Sequence, residues 1–187
     1  RYLTRQRNAA LDSNGISTVI DGKEYTVHPA DFALPEAVER VQSEHACTFL
    51  MNPPVGKKEK ITIIAVGPLT NIGMALRMCP ELKEHIEKIV IMGGGIHKGN
   101  ITPCAEANFY HDPEAAKIVL ESGIPCDVIP LNATHSAEIS LEDALLLEKE
   151  GTPAGVFAAK LIRQRIAALE KMSAGNGHSD AIHDALA

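Results

Sequence analysis

The stretch "ITIIAVG" at residues 61–67 decides the fold, because it is a continuous apolar run rich in β-branched residues. Such a run is typical of a strand buried on both faces of a parallel sheet. Similar runs follow at 88–95, "KIVIMGGG", and at 126–132, "CDVIPLN", and helix-like segments at 68–78 and 112–123 separate the three. This alternation predicts an α/β fold with a mostly parallel open sheet, helices on both faces and a Rossmann-like core.

Further elements are expected on either side of this core. They are a hairpin around an Asp-Gly turn at 17–27 and helices at 34–51, 80–87, 140–151 and 153–172. Ser140 and Asp143 form a capping-box pattern at the start of one of these helices. No shift in composition divides the chain, so we expect a single domain over residues 1–187. Because the sequence begins with Arg1 and stops inside the helix-like "AIHDALA", we expect that domain to be truncated at both ends.

Composition narrows the classes of partner. The 187 residues carry a net charge of −6 with no Lys/Arg cluster, and they include no Trp and few Tyr or Phe. This argues against nucleic-acid binding, so a small-molecule ligand is expected. No apolar run reaches membrane-spanning length, and four scattered cysteines without C-x-x-C spacing fit reduced thiols in the cytoplasm.

Polar residues follow each of the predicted strands. In open parallel sheets, ligands bind beyond the carboxyl ends of the strands. Val66 and Met92 stand at two such ends, the loop 95–112 follows the second, and residues 132–135 follow the third strand. We therefore expect these residues to meet at one edge of the sheet and to form a candidate site.

The loop carries side chains that suit hydroxyl groups. Glu106 and Asn108 alternate about Ala107, so both would point the same way in an extended segment. A carboxylate beside an amide, with Asn100 nearby, suits the vicinal hydroxyls of a sugar. The alternative is that Asn100 and Asn108 only cap turns.

Two shorter signals are weaker. The run Gly93-Gly94-Gly95 matches neither phosphate-binding pattern, so a tight turn that lets the backbone approach a ligand is favoured over a phosphate loop. His183 and Asp184 are adjacent, which allows metal ligation by the carboxylate and proton transfer by the imidazole. A helix cap beside a surface histidine is the alternative.

Taken together, these segments resemble a known family. The stretches at 63–76, 88–125, 128–135 and 182–187 are similar, in the same order, to those of nucleoside hydrolases, the inosine-uridine-preferring nucleoside N-ribohydrolases. The resemblance covers about residues 60–187. It implies an enzyme that hydrolyses the N-glycosidic bond of ribonucleosides to ribose and free base in nucleoside catabolism or salvage. It also implies dependence on Ca²⁺ and a homo-oligomer, either a dimer or a tetramer.

The same resemblance implies a role for each matching residue. His183 would protonate the leaving base, and Asp184 would bind both calcium and ribose. The carbonyl of Val66 would be a further calcium ligand. The remaining ribose contacts would come from Met92, Asn100, Glu106 and Asn108. The absence of Trp favours the broad or pyrimidine-preferring members over the purine-specific ones.

One motif of the family is missing. The aspartate-rich D-x-D-x-x-x-D-D pattern would supply most calcium ligands and the base that activates water, and Asp12, Asp21 and Asp31 are not arranged in this way. The chain is then either a fragment or a degenerate relative, and a non-catalytic ribose-binding homologue is the alternative function. An NAD-dependent oxidoreductase would need a glycine fingerprint that the chain lacks.

Overall fold

The structure is a computed structural model, and it describes residues 15–20, 22–29, 42–52, 59–172 and 179–187. The strands are β1 (Gly15–Ile20), β2 (Lys23–Pro29), β3 (Ile61–Ala65), β4 (Ile86–Met92), β5 (Cys126–Ile129), β6 (Glu138–Ser140) and β7 (Ser179–Ala181). The α-helices are α1 (Ala46–Met51), α2 (Thr70–Met78), α3 (Ala107–His111), α4 (Pro113–Leu120), α5 (Leu131–Thr134), α6 (Leu141–Lys149) and α7 (Pro153–Met172). Short 3₁₀ helices span Pro80–His85 and Asp184–Leu186.

The described residues fall into two compact units. The first contains residues 42–52, 59–136 and 183–187, and the second contains residues 15–20, 22–29, 137–172 and 179–182. No helix within these ranges combines the length and the apolar character needed to cross a membrane.

The first unit is built on a parallel sheet with the strand order β3-β4-β5. Ala65 of β3 pairs with Ile91 of β4, and Met92 pairs with Ile129 of β5. The α/β fold with parallel strands is therefore confirmed. Because the three strands are parallel, their carboxyl ends lie at the same edge of the sheet.

The core of this unit lies between one face of the sheet and the helices α1, α2 and α4. Ile89, Ile91 and Val119 are completely buried there. The expectation that β3 is buried on both faces is wrong. Partly buried and exposed residues alternate along β3 up to the buried Ala65, and Ile64 is 61% exposed, because successive side chains point to opposite faces of the sheet.

The second unit contains the predicted hairpin. β1 and β2 pair antiparallel, with Ile20 opposite Lys23 and Gly22 in the turn at a φ of 75°. Such positive φ angles favour glycine. Helices α6 and α7 pack together, α7 also packs on β2, and Ile166 of α7 is completely buried. A short antiparallel pair, β6 with β7, was not predicted.

Two predicted helices differ from the structure. The helix expected over 34–51 is wrong at 42–45, and α1 begins only at Ala46, where the His45 ring accepts a hydrogen bond from the Cys47 amide. Residues 34–41 lie outside the described part of the chain. The segment 80–87 forms a single 3₁₀ helix that begins at Pro80, and its last two residues already belong to β4.

Candidate functional site

Glu106 is the N-cap of α3 and is buried, with 3% of its surface exposed. Its carboxylate accepts three backbone hydrogen bonds, from Asn108 at 2.8 Å, Gly94 at 2.9 Å and Phe109 at 3.1 Å. A carboxylate has about four acceptor positions. Since Oε2 accepts two of the bonds and Oε1 one, the remaining position is on Oε1.

Asn108 joins α3 to the end of β4. Its Nδ2 donates to the carbonyl of Met92 at 3.0 Å and lies 3.4 Å from the Met92 sulfur. Its Oδ1 atom makes no hydrogen bond within the described residues. The extended geometry expected for Glu106 and Asn108 is wrong, because Glu106 caps a helical turn in which Asn108 is the second residue.

Asn100 is exposed and accepts a hydrogen bond from the Ala107 amide at 2.8 Å. Together with Glu106 it therefore satisfies the amides of the first three residues of α3, which have no partner within the helix itself. The alternative interpretation, that the asparagines only cap turns, agrees with the contact that Asn100 makes in this structure. It does not describe Asn108, which tethers strand β4.

The glycine run after β4 makes room for α3. A Cβ atom on Gly93 would lie 2.5 Å from Cε1 of Phe109, and Gly94 has a φ of +75°. The Gly94 amide donates to Glu106 rather than pointing at an open anion site. The run is a tight turn whose backbone approaches a neighbouring helix, and this agrees better with the turn interpretation than with a phosphate loop.

His183 is held at the carboxyl end of β5. Its Nδ1 lies 2.8 Å from the hydroxyl oxygen of Thr134, which is completely buried. The ring of His135 is tilted by 56° against the His183 ring, with 5.5 Å between centroids. The sequence placed residues 132–135 at this edge but assigned no role to Thr134, because only the fold brings it to His183, 49 residues later.

Hydrogen bonds join the loops that follow β4 and β5. The Leu131 amide donates to the Gly94 carbonyl at 3.0 Å, and the Ile96 amide donates to Oδ1 of Asn132 at 2.8 Å. Thus Met92, Asn100, Glu106 and Asn108 belong to one loop region, and His183 contacts the loop bonded to it. These residues lie at the same edge of the sheet, and that they form a binding site stays a prediction.

Val66 and Asp184 are less closely tied to this group. Val66 directly follows Ala65, the partner of Ile91, so it lies beside Met92 at the same edge. Asp184 follows His183, is exposed and begins the last 3₁₀ helix. Within the described residues, no hydrogen bond or ion pair joins either residue to Glu106 or Asn108.

The described residues alone do not fit a calcium site. No three His, Cys, Asp or Glu side chains of the described ranges are grouped so that they could hold a metal ion. Calcium takes roughly six to eight oxygen ligands, whereas Asp184 and the Val66 carbonyl are the only candidates assigned here. Asp12, Asp21 and Asp31 lie outside the described residues.

A shallow depression of about 330 Å³ lies elsewhere, against α4. It contains none of the predicted site residues. Its lining consists of Phe109, Pro113, Ala116, Lys117, Leu120 and Glu121.

Known proteins that resemble this chain in sequence or in structure are nucleoside hydrolases. The family model described as inosine-uridine preferring nucleoside hydrolase matches residues 4–187. This chain belongs to that family. The match includes every residue of the candidate site, from Val66 to Asp184.

Similar nucleoside hydrolases are found among both sequences and structures. The pyrimidine-specific ribonucleoside hydrolase RihA of Escherichia coli (strain SMS-3-5 / SECEC) is 42% identical over 130 residues, which are 70% of this chain and 42% of RihA. The purine-preferring ribonucleoside hydrolase from Gardnerella vaginalis has a TM-score of 0.75 and 33% identity, covering 83% of this chain and 49% of its own. The plant nucleoside hydrolase PpNRh1 has a TM-score of 0.70 and 29% identity, with coverages of 80% and 47%. This nucleoside hydrolase chain therefore spans less than half the length of these relatives.

Proposed function

We propose that the protein containing this chain hydrolyses the N-glycosidic bond of ribonucleosides, giving ribose and free base. One observation carries the proposal. The loops after β4 and β5 are hydrogen-bonded to each other, so that groups suited to hydroxyls and an imidazole lie at one edge of the sheet. Family membership supports the same reaction. Nucleoside catabolism or salvage is the setting in which this reaction would serve.

The ribose would be held by groups with unused hydrogen-bonding capacity. Asn108 keeps its Oδ1, which can accept from a hydroxyl, whereas its Nδ2 bonds to Met92. Glu106 keeps one acceptor position on Oε1, adjacent to Asn108. Asn100 offers its amide nitrogen, and Met92 contributes contact through its side chain. Two acceptors side by side match two neighbouring hydroxyls, each of which can donate.

The bond-breaking step needs help at the leaving base. The electron pair of the C1′–N bond leaves with the base, and positive charge builds on the ribose as in other glycoside hydrolyses. His183 donates a proton to the departing nitrogen, which neutralises the base as it leaves. Water supplies the oxygen that binds C1′, and no residue of this chain is assigned as the base that takes the water's proton.

The metal and its ligands are a separate part of the proposal. The resemblance implies Ca²⁺, with Asp184 and the Val66 carbonyl among its ligands, and these two residues are compatible with a calcium ion only when further oxygen ligands join them. We derive no step through the metal. Both units would belong to one nucleoside hydrolase domain, since the family model spans residues 4–187. A cytoplasmic homo-oligomer, a dimer or tetramer, completes the proposal.

The base preference proposed is pyrimidine or broad. The sequence contains no Trp on which a purine could stack. A pyrimidine-specific ribonucleoside hydrolase is 42% identical to this chain. Comparing turnover of uridine and inosine by the full-length protein measures this preference directly, and a strong preference for inosine would contradict it.

The test compares His183→Ala with Asn108→Ala in the full-length protein on two substrates. A general acid contributes about 10²- to 10⁴-fold, and it matters only when the leaving group is poor. His183→Ala should therefore cripple hydrolysis of uridine but largely spare a nitrophenyl riboside, whose leaving group needs no proton. Asn108→Ala should slow both substrates, because both contain the ribose.

Three outcomes would contradict the proposal. Equal losses on both substrates for His183→Ala would remove its role as the acid. Unchanged activity of Asn108→Ala would remove its role in ribose binding. A wild-type, full-length protein that binds ribose without hydrolysing nucleosides would favour the non-catalytic homologue.

A further inference from the structure

We infer that Thr134 is a positioning residue whose hydroxyl fixes the proton of His183 on Nδ1 and so leaves Nε2 as the nitrogen that exchanges a proton with the ligand. The inference rests on the proposed role of His183 as the acid. Thr134 itself would touch neither the ribose nor the base.

The donor and acceptor assignment follows from the contacts of the Thr134 hydroxyl. This group has one hydrogen and lies 3.3 Å from the Leu131 carbonyl and 2.8 Å from Nδ1 of His183. The carbonyl can only accept, and we assign the hydrogen of the hydroxyl to it. With this assignment the hydroxyl oxygen accepts a hydrogen bond from Nδ1–H of His183. The reverse direction, donation from the hydroxyl to Nδ1, would put the hydrogen of the neutral imidazole on Nε2, and the tautomer measurement below separates the two.

Burial keeps water away from the Thr134 hydroxyl. Thr134 is 0% exposed, so water is not available to replace either partner of its hydroxyl. The second nitrogen, Nε2, has no hydrogen-bond partner in the described part of the chain. A neutral imidazole carries its hydrogen on one nitrogen only, and the bond made by one nitrogen determines the state of the other.

The neighbouring residue limits rotation of the same ring. His135 follows Thr134 directly, and its ring lies tilted against that of His183 at a centroid distance of 5.5 Å. The turn that ends α5 therefore supplies both a hydrogen-bond acceptor and a packing surface. Orientation and tautomer of His183 are set by the same two residues.

The first measurement is spectroscopic and needs no turnover. In ¹⁵N NMR spectra of the full-length protein, recorded where the imidazole is neutral, we expect His183 to carry its hydrogen on Nδ1. Thr134→Ser keeps the hydroxyl and should preserve this signature. Thr134→Val and the smaller Thr134→Ala remove the hydroxyl and should give a mixture of tautomers. An unchanged His183 signature in a folded hydroxyl-less variant would overturn the inference.

The second measurement is kinetic. Loss of the hydroxyl should lower kcat for uridine by roughly tenfold to hundredfold, within the range of an acid's contribution, with little change in KM. The nitrophenyl riboside should be largely spared, and Thr134→Ser should restore most of the activity on uridine. In a His183→Ala background, Thr134→Val should cause no further loss.

Other kinetic results would overturn the inference. Equal losses on both substrates, or losses that add to those of His183→Ala, would mean that Thr134 acts only on packing. If the wild-type protein hydrolyses no nucleoside, the proposed function fails, yet the NMR signature still decides whether Thr134 fixes the tautomer. The two failures are therefore distinguishable.

Discussion

At the scale of single residues, Glu106 commits most of its carboxylate to the fold. Three backbone amides occupy most of its acceptor capacity, and one of them, Gly94, lies 12 residues earlier in the chain. The same side chain thus closes the loop between β4 and α3 and presents one remaining acceptor position. We therefore expect a substitution here to affect stability, in addition to the ribose binding proposed for this residue.

Glu106→Gln should lower the free energy of unfolding by about 2 kcal/mol. Hydrogen bonds to charged groups are worth roughly 1.5–3 kcal/mol, and the glutamine NH₂ would face backbone N–H groups, which are donors like itself. Asn100→Ala is the matched comparison, since it removes one neutral, exposed hydrogen bond and should cost about 1 kcal/mol or less. Urea unfolding of both variants measures the difference. A Glu106→Gln protein as stable as wild type would mean that the three amide bonds do not hold the loop.

The four cysteines should react with a thiol reagent in an order set by exposure. Cys104 is exposed and should react first, whereas Cys47 is buried, with its Sγ 3.4 Å from the Asn71 carbonyl, and should react last. Burial and, to a smaller degree, the charge of Asp127 raise the pKa of the Cys126 thiol, so less thiolate is present at neutral pH. Labelling of Cys126 should therefore accelerate as pH rises.

Timed labelling followed by peptide mass spectrometry gives this order. Cys104→Ser is the control, because it should remove the fast phase and leave the slower ones unchanged. Rapid modification of Cys47 in the folded protein would contradict the packing of α1 against the core.

The residues of the candidate site were easier to predict than their conformations. Their position at strand ends follows from a local pattern, three apolar runs of which the second and third are followed by polar residues. The helical turn at Asn108 could not be predicted, since α3 has only five residues, too few to show a helical period. Its stability comes from the distant Gly94 amide and from Asn100, which are contacts that a pattern along the chain does not contain.

At the scale of elements, the capping box of α6 couples helix stability to pH. The Ser140 hydroxyl accepts from the Asp143 amide at 3.2 Å, and the Asp143 carboxylate accepts from the Ser140 amide at 2.8 Å. The backbone and then the side-chain hydrogen bonds of Ser140 lower the pKa of Asp143. A lowered pKa in the folded state means stabilisation that is present above the unfolded pKa and is lost as pH falls through the folded value.

Ser140→Ala should destabilise the protein by about 1 kcal/mol, the usual cost of losing an N-cap. Asp143→Asn should lower stability at neutral pH, and its stability should depend less on acidification below the ordinary aspartate pKa than that of wild type. Thermal unfolding at several pH values measures both effects. Identical pH profiles for wild type and Asp143→Asn would contradict the assigned hydrogen bonds.

Helix starts with local signals were predicted well. The helix-like segment at 112–123 does begin beside Asp112, whose carboxylate caps α4 by accepting from the Ala115 amide at 3.0 Å, and Ser140 caps α6 as expected. The pairing of β6 with β7 was missed, because it joins three-residue strands about 40 positions apart and neither shows an alternating pattern long enough to read. The start of α1 at Ala46 was also missed, because the predicted helix ran through this position. The His45 ring caps α1, and histidine is not a usual N-cap residue, so no signal for a helix start is present in the sequence here.

At the scale of the whole molecule, we expect the absence of the aspartate pattern to limit what this chain does alone. The sequence contains no D-x-D-x-x-x-D-D cluster. We expect the purified 187-residue chain to bind calcium weakly, because calcium prefers roughly six to eight oxygen ligands and only two candidates are assigned here. We also expect it not to hydrolyse inosine or uridine.

Calorimetric titration with calcium and a sensitive assay for released base test these expectations. The full-length protein is the control, and it should bind calcium more tightly and turn over nucleoside. Measurable hydrolysis by the 187-residue chain would show that the aspartate pattern is dispensable, which contradicts the mechanism that the resemblance implies.

The close approach of Gly93 to the ring of Phe109 has a consequence for which sequences this fold accepts. A Cβ at position 93 and an aromatic ring at position 109 would occupy the same space, with only 2.5 Å between the atoms. The two positions are therefore not independent. In a combinatorial library that randomises both, alanine at 93 should survive selection for folding only beside a small residue at 109, and glycine at 93 should tolerate the widest choice. The fold thus restricts pairs of residues here, rather than single ones.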